Sequence, residues 1–345
     1  MLELRAIAKV ELHRHLEGSL RPATMLELFR AHGLPLPAET AEALAERTQV
    51  RAPMGDLLEV LAAFDVFQRA FVSPEAAERL AYEAVEDAAR ENVRLLELRF
   101  SPEFMAAPHR QDPDALTAAV IRGARRAGSE HRVAVGLIAI VSRGLGLESA
   151  ERTASLALRF RDQLCGFDLA DDEVRFPSRL FAGAVRRVRE AGLPITVHSG
   201  ESTGPDHVQQ TLDSLLPRRL GHGVAVAADP ELIARTCRER IALEMCPTSN
   251  ERTRAVPSLA EHPARALLRR GVPVTINSDD PGLFGIDLTH ELRLAREVLG
   301  FSDAELALAT HHALEASFLE PSLKAGLRRE FFGWVDRALA PADPC

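Results

Sequence analysis

The 345-residue chain predicts an α/β fold: a (β/α)8 TIM barrel with a helical insertion after strand 1 and extra C-terminal helices. Three observations predict it. Eight short apolar runs recur along the chain, and the later ones are separated by amphipathic helical stretches, the pattern of a parallel sheet that closes on itself. The length suits one large α/β barrel as well as two smaller domains. The polar residues with metal-binding or acid–base chemistry stand where apolar runs give way to Gly- or Pro-containing turns, as on the catalytic rim of a barrel.

Strands are expected at 10–16, 93–100, 133–142, 164–169, 194–198, 219–222, 241–245 and 273–279. Helical periodicity fills 112–131, 147–162, 177–191, 206–215, 229–239 and 257–270 between the later strands. The first connection, 17–92, is too long for one crossover. It carries helix patterns at 22–32, 55–70 and 73–91, with Pro35 and Pro37 breaking the run. An insertion after strand 1 lies on the catalytic face, so it is expected to form a lid or pocket wall within one domain spanning 1–345. Further helices are expected near 287–299, 302–318 and 321–339.

Composition narrows the function. Hydrophobic residues make up 46% and charged residues 27%, as in an ordinary globular protein. A net charge of −8 argues against a general nucleic-acid binder. Lys9 and Lys324 are the only lysines, which excludes most lysine-dependent mechanisms. Cys165, Cys237, Cys246 and Cys345 are widely spaced and form no CxxC, so neither a zinc ribbon nor the zinc site of small cytidine-type deaminases is available. Met1 to Val10 lacks the apolar core of a signal peptide, and no stretch nears the roughly eighteen apolar residues of a membrane span. The expected setting is a reducing cytoplasm, with no membrane partner.

The strand ends carry the chemistry. In Val10-Glu11-Leu12-His13-Arg14-His15-Leu16 the two histidines are two apart, so both imidazoles face one side of a strand. His198 ends Ile195-Thr196-Val197-His198, His222 ends Arg219-Leu220-Gly221-His222, and Asp279 closes the eighth run. On a barrel these converge at the C-terminal rim. Three imidazoles and a carboxylate suit a divalent transition metal, zinc first, with His222 either a fifth ligand or an acid–base group. Two-metal barrel hydrolases often bridge their metals with a carboxylated lysine near the middle strands. Strand 4, Leu164-Cys165-Gly166-Phe167-Asp168-Leu169, has no lysine nearby, so one metal is expected.

Glu201, three residues past His198, could act as a general acid or merely complement a helix N-terminus. Asp280 follows Asp279 and precedes Pro281-Gly282, a turn into the site. The other histidines carry weaker expectations. His262, before Pro263, is expected to open a helix; His311 and His312 lie in a helix after the barrel; His32, His109, His131, His207 and His290 fall in loops or on helix faces.

The run Val10-Glu11-Leu12-His13-Arg14-His15-Leu16-Glu17-Gly18-Ser19 resembles the opening motif of the adenosine deaminase family. His198-Ser199-Gly200-Glu201, Leu220-Gly221-His222-Gly223, Cys246-Pro247-Thr248-Ser249-Asn250 and Ser278-Asp279-Asp280-Pro281 are similar to its later motifs, and Glu97-Leu98-Arg99-Phe100-Ser101-Pro102 to its second-strand motif. The motifs run in order from residue 10 to about 285. The resemblance implies one Zn2+ per chain, held by His13, His15, His198 and Asp279. It also implies hydrolytic loss of ammonia from C6 of a purine nucleoside. By the same resemblance His222 helps to deprotonate and orient the attacking water, Glu201 protonates purine N1, Asp280 bonds N7, and Gly200 serves backbone geometry. His15, Glu17, Asp171 and Asp280 would face the substrate.

Two positions depart from the commonest adenosine pattern. Glu17 stands where many members have the Asp that contacts the sugar's 5′ end, and Asp171 stands where a Gly usually offers its amide to N3. The leading expectation is deamination of adenosine and 2′-deoxyadenosine. Another 6-aminopurine is the alternative: aminodeoxyfutalosine of a menaquinone route first, free adenine last. An inactive binding protein on the same fold and a metal-dependent amide or phosphoester hydrolase rank lower, because the ligand and acid–base set is complete and Glu201 accompanies it.

Overall fold

The structure, a computed structural model, describes residues 2–340, so Cys345 lies outside the described residues. Eight strands form the barrel: β1 (Lys9–His15), β2 (Val93–Phe100), β3 (Ala134–Ser142), β4 (Gly166–Ala170), β5 (Thr196–Ser199), β6 (Arg219–His222), β7 (Ala242–Met245) and β8 (Val274–Ile276). They pair in parallel as two four-stranded halves, β1-β2-β3-β4 and β5-β6-β7-β8. Isolated parallel bridges close both seams, Phe167 with Ile195 and Arg14 with Asp279. At the second seam the His15 N–H donates to the Asp279 carbonyl at 2.8 Å, and the Asp279 N–H donates to the His13 carbonyl at 3.0 Å. The bonds that close the barrel therefore also bring three of the predicted metal ligands together.

Strand periodicity explains the layers. On β2, Leu96, Leu98 and Phe100 pack outward and Glu97 and Arg99 point into the barrel; on β1 the pairing slips between Glu11, opposite Leu96, and Arg14, opposite Leu98, and His13 enters the barrel against Glu244. The interior is thus partly ionic. Arg99 reaches Asp168 at 2.8 Å and Glu244 at 2.7 Å, and Arg219 reaches Glu244 and Glu97 at 2.6 Å each. All five side chains are buried, where charges persist only when paired.

Strands β1 to β7 begin and end within two residues of expectation. β8 is shorter, because after Ile276 the chain leaves the ladder to turn Asp279 across the rim. In the insertion, helices run over Pro22–Ala31, Ala41–Thr48, Leu57–Gln68 and Pro74–Arg90; the second of these has no strong periodic signal in the sequence. The expected helix at 257–270 is split, with a 3-10 turn over Leu259–Glu261 and a helix over Ala264–Arg269, because Pro263 cannot continue the preceding turn. The stretch 321–339 is likewise two helices, Pro321–Phe331 and Gly333–Leu339. Among the described residues no helix is long and apolar enough to cross a membrane, and Cys165, Cys237 and Cys246 are free.

Candidate active site and metal centre

His13, His15, His198 and Asp279 converge at the C-terminal rim. His15 Nε2 lies 3.3 Å from His13 Nε2 and 3.2 Å from His198 Nε2, and Asp279 Oδ1 lies 3.1 Å from His13 Nε2 and 3.3 Å from His15 Nε2. Four ligands at the corners of a tetrahedron, each about 2.0–2.1 Å from a central ion, sit about 3.3 Å apart. The donor set therefore fits one small divalent cation. The outer nitrogens are held as metal-binding imidazoles usually are. His13 Nδ1 is 2.7 Å from Glu244 Oε2, and His198 Nδ1 is 3.1 Å from Asp168 Oδ2. Those two carboxylates, braced by Arg99, lie outside the metal-ligand and acid–base motifs of the sequence. Their signal was a charged residue inside an otherwise apolar strand run.

His222 stands beside this set. Its Nε2 is 3.4 Å from Glu201 Oε2 and 3.9 Å from Asp279 Oδ2. His222, Asp279 and Asp171 all have left-handed backbones, with φ of 58°, 63° and 82°. Such conformations cost on the order of 1–3 kcal/mol each and cluster at functional sites; Asp and His tolerate them better than most residues.

Glu201 lies in the loop after β5, ahead of the helix Pro205–Leu215, so it is not a helix N-terminal carboxylate. Gly200 before it has φ 79°, and a Cβ there would meet Val208 Cγ2 at 2.6 Å, so the turn requires glycine. The loop is anchored by Glu173, whose carboxylate accepts the N–H groups of Gly200, Glu201, Ser202 and Thr203 at 2.5–3.2 Å. Burial, reinforced by the charges of Asp279 and Glu173, pushes the Glu201 carboxyl well above the usual carboxylate range. Asp280 is pushed up in the same way by burial and by Asp279 and Glu17. Both carboxyls are thereby held as neutral acids able to donate. Asp280 packs against Gly18, where any Cβ would fall 1.9 Å from Asp280 Oδ1.

The rim opens into a cavity of about 810 Å³, its mouth included. Leu57, Leu61 and Phe64 of the insertion form an apolar wall, and Glu17, Ser101 and Asp280 form a polar end. Glu17 Oε1 accepts the Ser101 N–H at 2.6 Å. Glu17 Oε2, Ser101 Oγ and Asp280 Oδ1 are buried with no hydrogen-bond partner among the described residues. Unmet buried polar atoms lining a cavity mark where a ligand's polar groups belong. Asp171 also lines the cavity, but its carboxylate is taken by the Ser142 hydroxyl at 2.6 Å and the Gly144 N–H at 3.0 Å.

Glu17 makes a stability prediction. Burial raises its carboxyl from 4.5 to about 7. A folded value above the unfolded one means stability present below pH 4.5 and lost as pH rises through 7. The ionised form should cost the ligand-free protein about 3 kcal/mol at alkaline pH. Glu17→Gln should therefore melt higher than the parent at pH 8, with the gap closing toward pH 5. A Tm difference that does not vary with pH would contradict the burial argument.

Solved structures share this barrel. An adenine deaminase from Arthrobacter aurescens superimposes with a TM-score of 0.89 at 29% identity, covering 96% of this chain and 100% of that one. An amidohydrolase from Burkholderia ambifaria, determined with bound Zn, superimposes with a TM-score of 0.87 at 27% identity, covering 97% and 92% of the two chains. Fold and site together define a metal-dependent hydrolase of the amidohydrolase class. Within that class the sequence is more specific: the adenosine deaminase family profile matches residues 8–334. A curated adenosine deaminase from Shewanella loihica is 38% identical over 322 residues, 93% of this chain and 97% of that protein. The chain belongs to the adenosine deaminase family, and its activity is that of a hydrolytic deaminase.

Proposed function

We propose that the protein deaminates adenosine and 2′-deoxyadenosine, using one zinc ion held by His13, His15, His198 and Asp279. Adenosine and water give inosine and ammonia. The observation that carries this reading is Glu201, a buried neutral acid beside a four-ligand cluster. Bound there, zinc would supply Lewis-acid chemistry, lowering the pKa of a water toward neutrality.

The chain's own residues do the rest. Glu201 donates its proton to purine N1, which makes C6 electrophilic. Asp280 donates to N7. His222, between Glu201 and Asp279, orients the water that attacks C6. With the Asp171 carboxylate tied into its loop, the backbone N–H is what that residue offers to N3. The insertion, 17–92, acts as a lid within a single domain, its helix Leu57–Gln68 keeping bulk water from the reacting face.

Glu17 sets the sugar preference. Its unpaired oxygen accepts the 5′-hydroxyl, and a ligand lacking that group leaves a buried carboxylate oxygen unsatisfied. Adenosine and 2′-deoxyadenosine should exceed 5′-deoxyadenosine by at least about tenfold in kcat/KM, with adenine lowest. Glu17→Gln should cost adenosine more than 5′-deoxyadenosine. A substrate panel tests this. Higher kcat/KM for aminodeoxyfutalosine or adenine would move the assignment to that 6-aminopurine and leave the reaction type in place.

A further inference from the structure

The connection between β7 and β8 buries two polar residues that the deamination chemistry leaves unused, Asn250 and His262, 0% and 7% exposed. They touch each other and the site. Asn250 Nδ2 is 3.0 Å from His222 Nδ1, and Asn250 Oδ1 is 3.0 Å from His262 Nε2. The direction of these bonds is determined at two points by backbone N–H groups, which can only donate. The Ala264 N–H donates to His262 Nδ1 at 3.2 Å, so that nitrogen carries a lone pair and the proton of the neutral ring is on Nε2. His262 Nε2–H then donates to Asn250 Oδ1. The Cys246 N–H points at the same oxygen at 3.4 Å, which independently marks it as the acceptor end of the amide. The Asn250 NH2 group therefore faces His222 and donates to Nδ1. Burial lowers the pKa of His262 to about 4, so the ring is neutral near pH 7.

We propose that His262 and Asn250 are positioning residues that fix His222 as its Nε2–H tautomer. The consequence for catalysis rests on the reading of His222 given above; the tautomer itself stands on the hydrogen-bond chain. A ring held this way orients water by donating a hydrogen bond and has no lone pair at Nε2 with which to take a proton. This replaces the expectation that His222 helps to deprotonate the water. Glu201 Oε2 lies 3.4 Å from the same Nε2, so the ring and the acid face one reaction space.

The test is a long-range proton–nitrogen correlation spectrum of zinc-loaded, ¹⁵N-histidine-labelled protein, with His222 assigned by comparison with His222→Gln. The expected pattern is a bare Nδ1 and a protonated Nε2. Asn250→Asp should reverse it. One carboxylate oxygen would take the His262 proton, and the other would require a proton on His222 Nδ1. In that variant kcat should fall about 10- to 100-fold, as for other groups that orient a site from behind. A protonated Nδ1 in the parent, or an unchanged pattern in zinc-loaded Asn250→Asp, overturns the proposal. Should Asn250→Asp fail to fold, the His262 pair decides. His262→Gln can still donate to Asn250 and should keep the pattern, while His262→Leu should lose it; identical spectra for the two refute the relay. The spectra need no substrate, so failure of the deaminase reading would show separately, as absent ammonia release.

Discussion

Asp279→Ala is expected to abolish activity and to lose the metal with it. Asp279 supplies the one anionic ligand, its Oδ1 within 3.1–3.3 Å of two imidazole nitrogens, and the same residue's backbone closes the barrel against β1. Zinc content measured by elemental analysis should fall from about one per chain to near zero. Ala at a φ of 63° adds backbone strain of about 1–2 kcal/mol. Asp279→Asn, whose amide tolerates that conformation, separates charge from strain: it should fold as well as the parent and still bind zinc poorly. Two metals per chain in the parent, or a zinc-loaded, active Asp279→Ala, would contradict a single four-ligand centre.

Glu201→Gln should leave the metal in place and remove most of the rate. Gln matches the shape of the neutral acid and can still donate a hydrogen bond, but it cannot deliver a proton to N1. A positioned general acid contributes about 10²–10⁴-fold, so kcat should fall at least about 10²-fold. Zinc content and Tm should stay near parental, because the residue replaced is already uncharged in the fold. Retained activity in a zinc-loaded Glu201→Gln would exclude Glu201 as the proton donor.

Much of this arrangement was legible in the sequence because it follows local rules. Alternation put His13 and His15 on one strand face, and each later apolar run ended on its polar residue. What was not legible depends on residues far apart in the chain. Glu97, Arg99, Asp168, Arg219 and Glu244 resemble the solvent face of a strand, and their burial makes sense only once four strands place their charges against one another. Asn250 belongs to a recognisable motif and His262 looks like a helix-opening residue. The His262 ring does accept from the Ala264 N–H, near that helix start, but its other nitrogen reaches Asn250 across the turn. Periodicity carries no information about such a pairing. The strand pattern runs past the end of the short β8 for a related reason: Asn277 and Ser278 continue it, while the seam with β1 takes the chain out of the ladder.

The most direct test of the central claim is incubation of the zinc-loaded protein with adenosine in ¹⁸O-enriched water, with the nucleoside product weighed by mass spectrometry. Hydrolytic deamination predicts inosine carrying one solvent oxygen, and one ammonia for each nucleoside consumed. Recovery of unchanged adenosine, and of every other 6-aminopurine offered, from a fully zinc-loaded protein would contradict it.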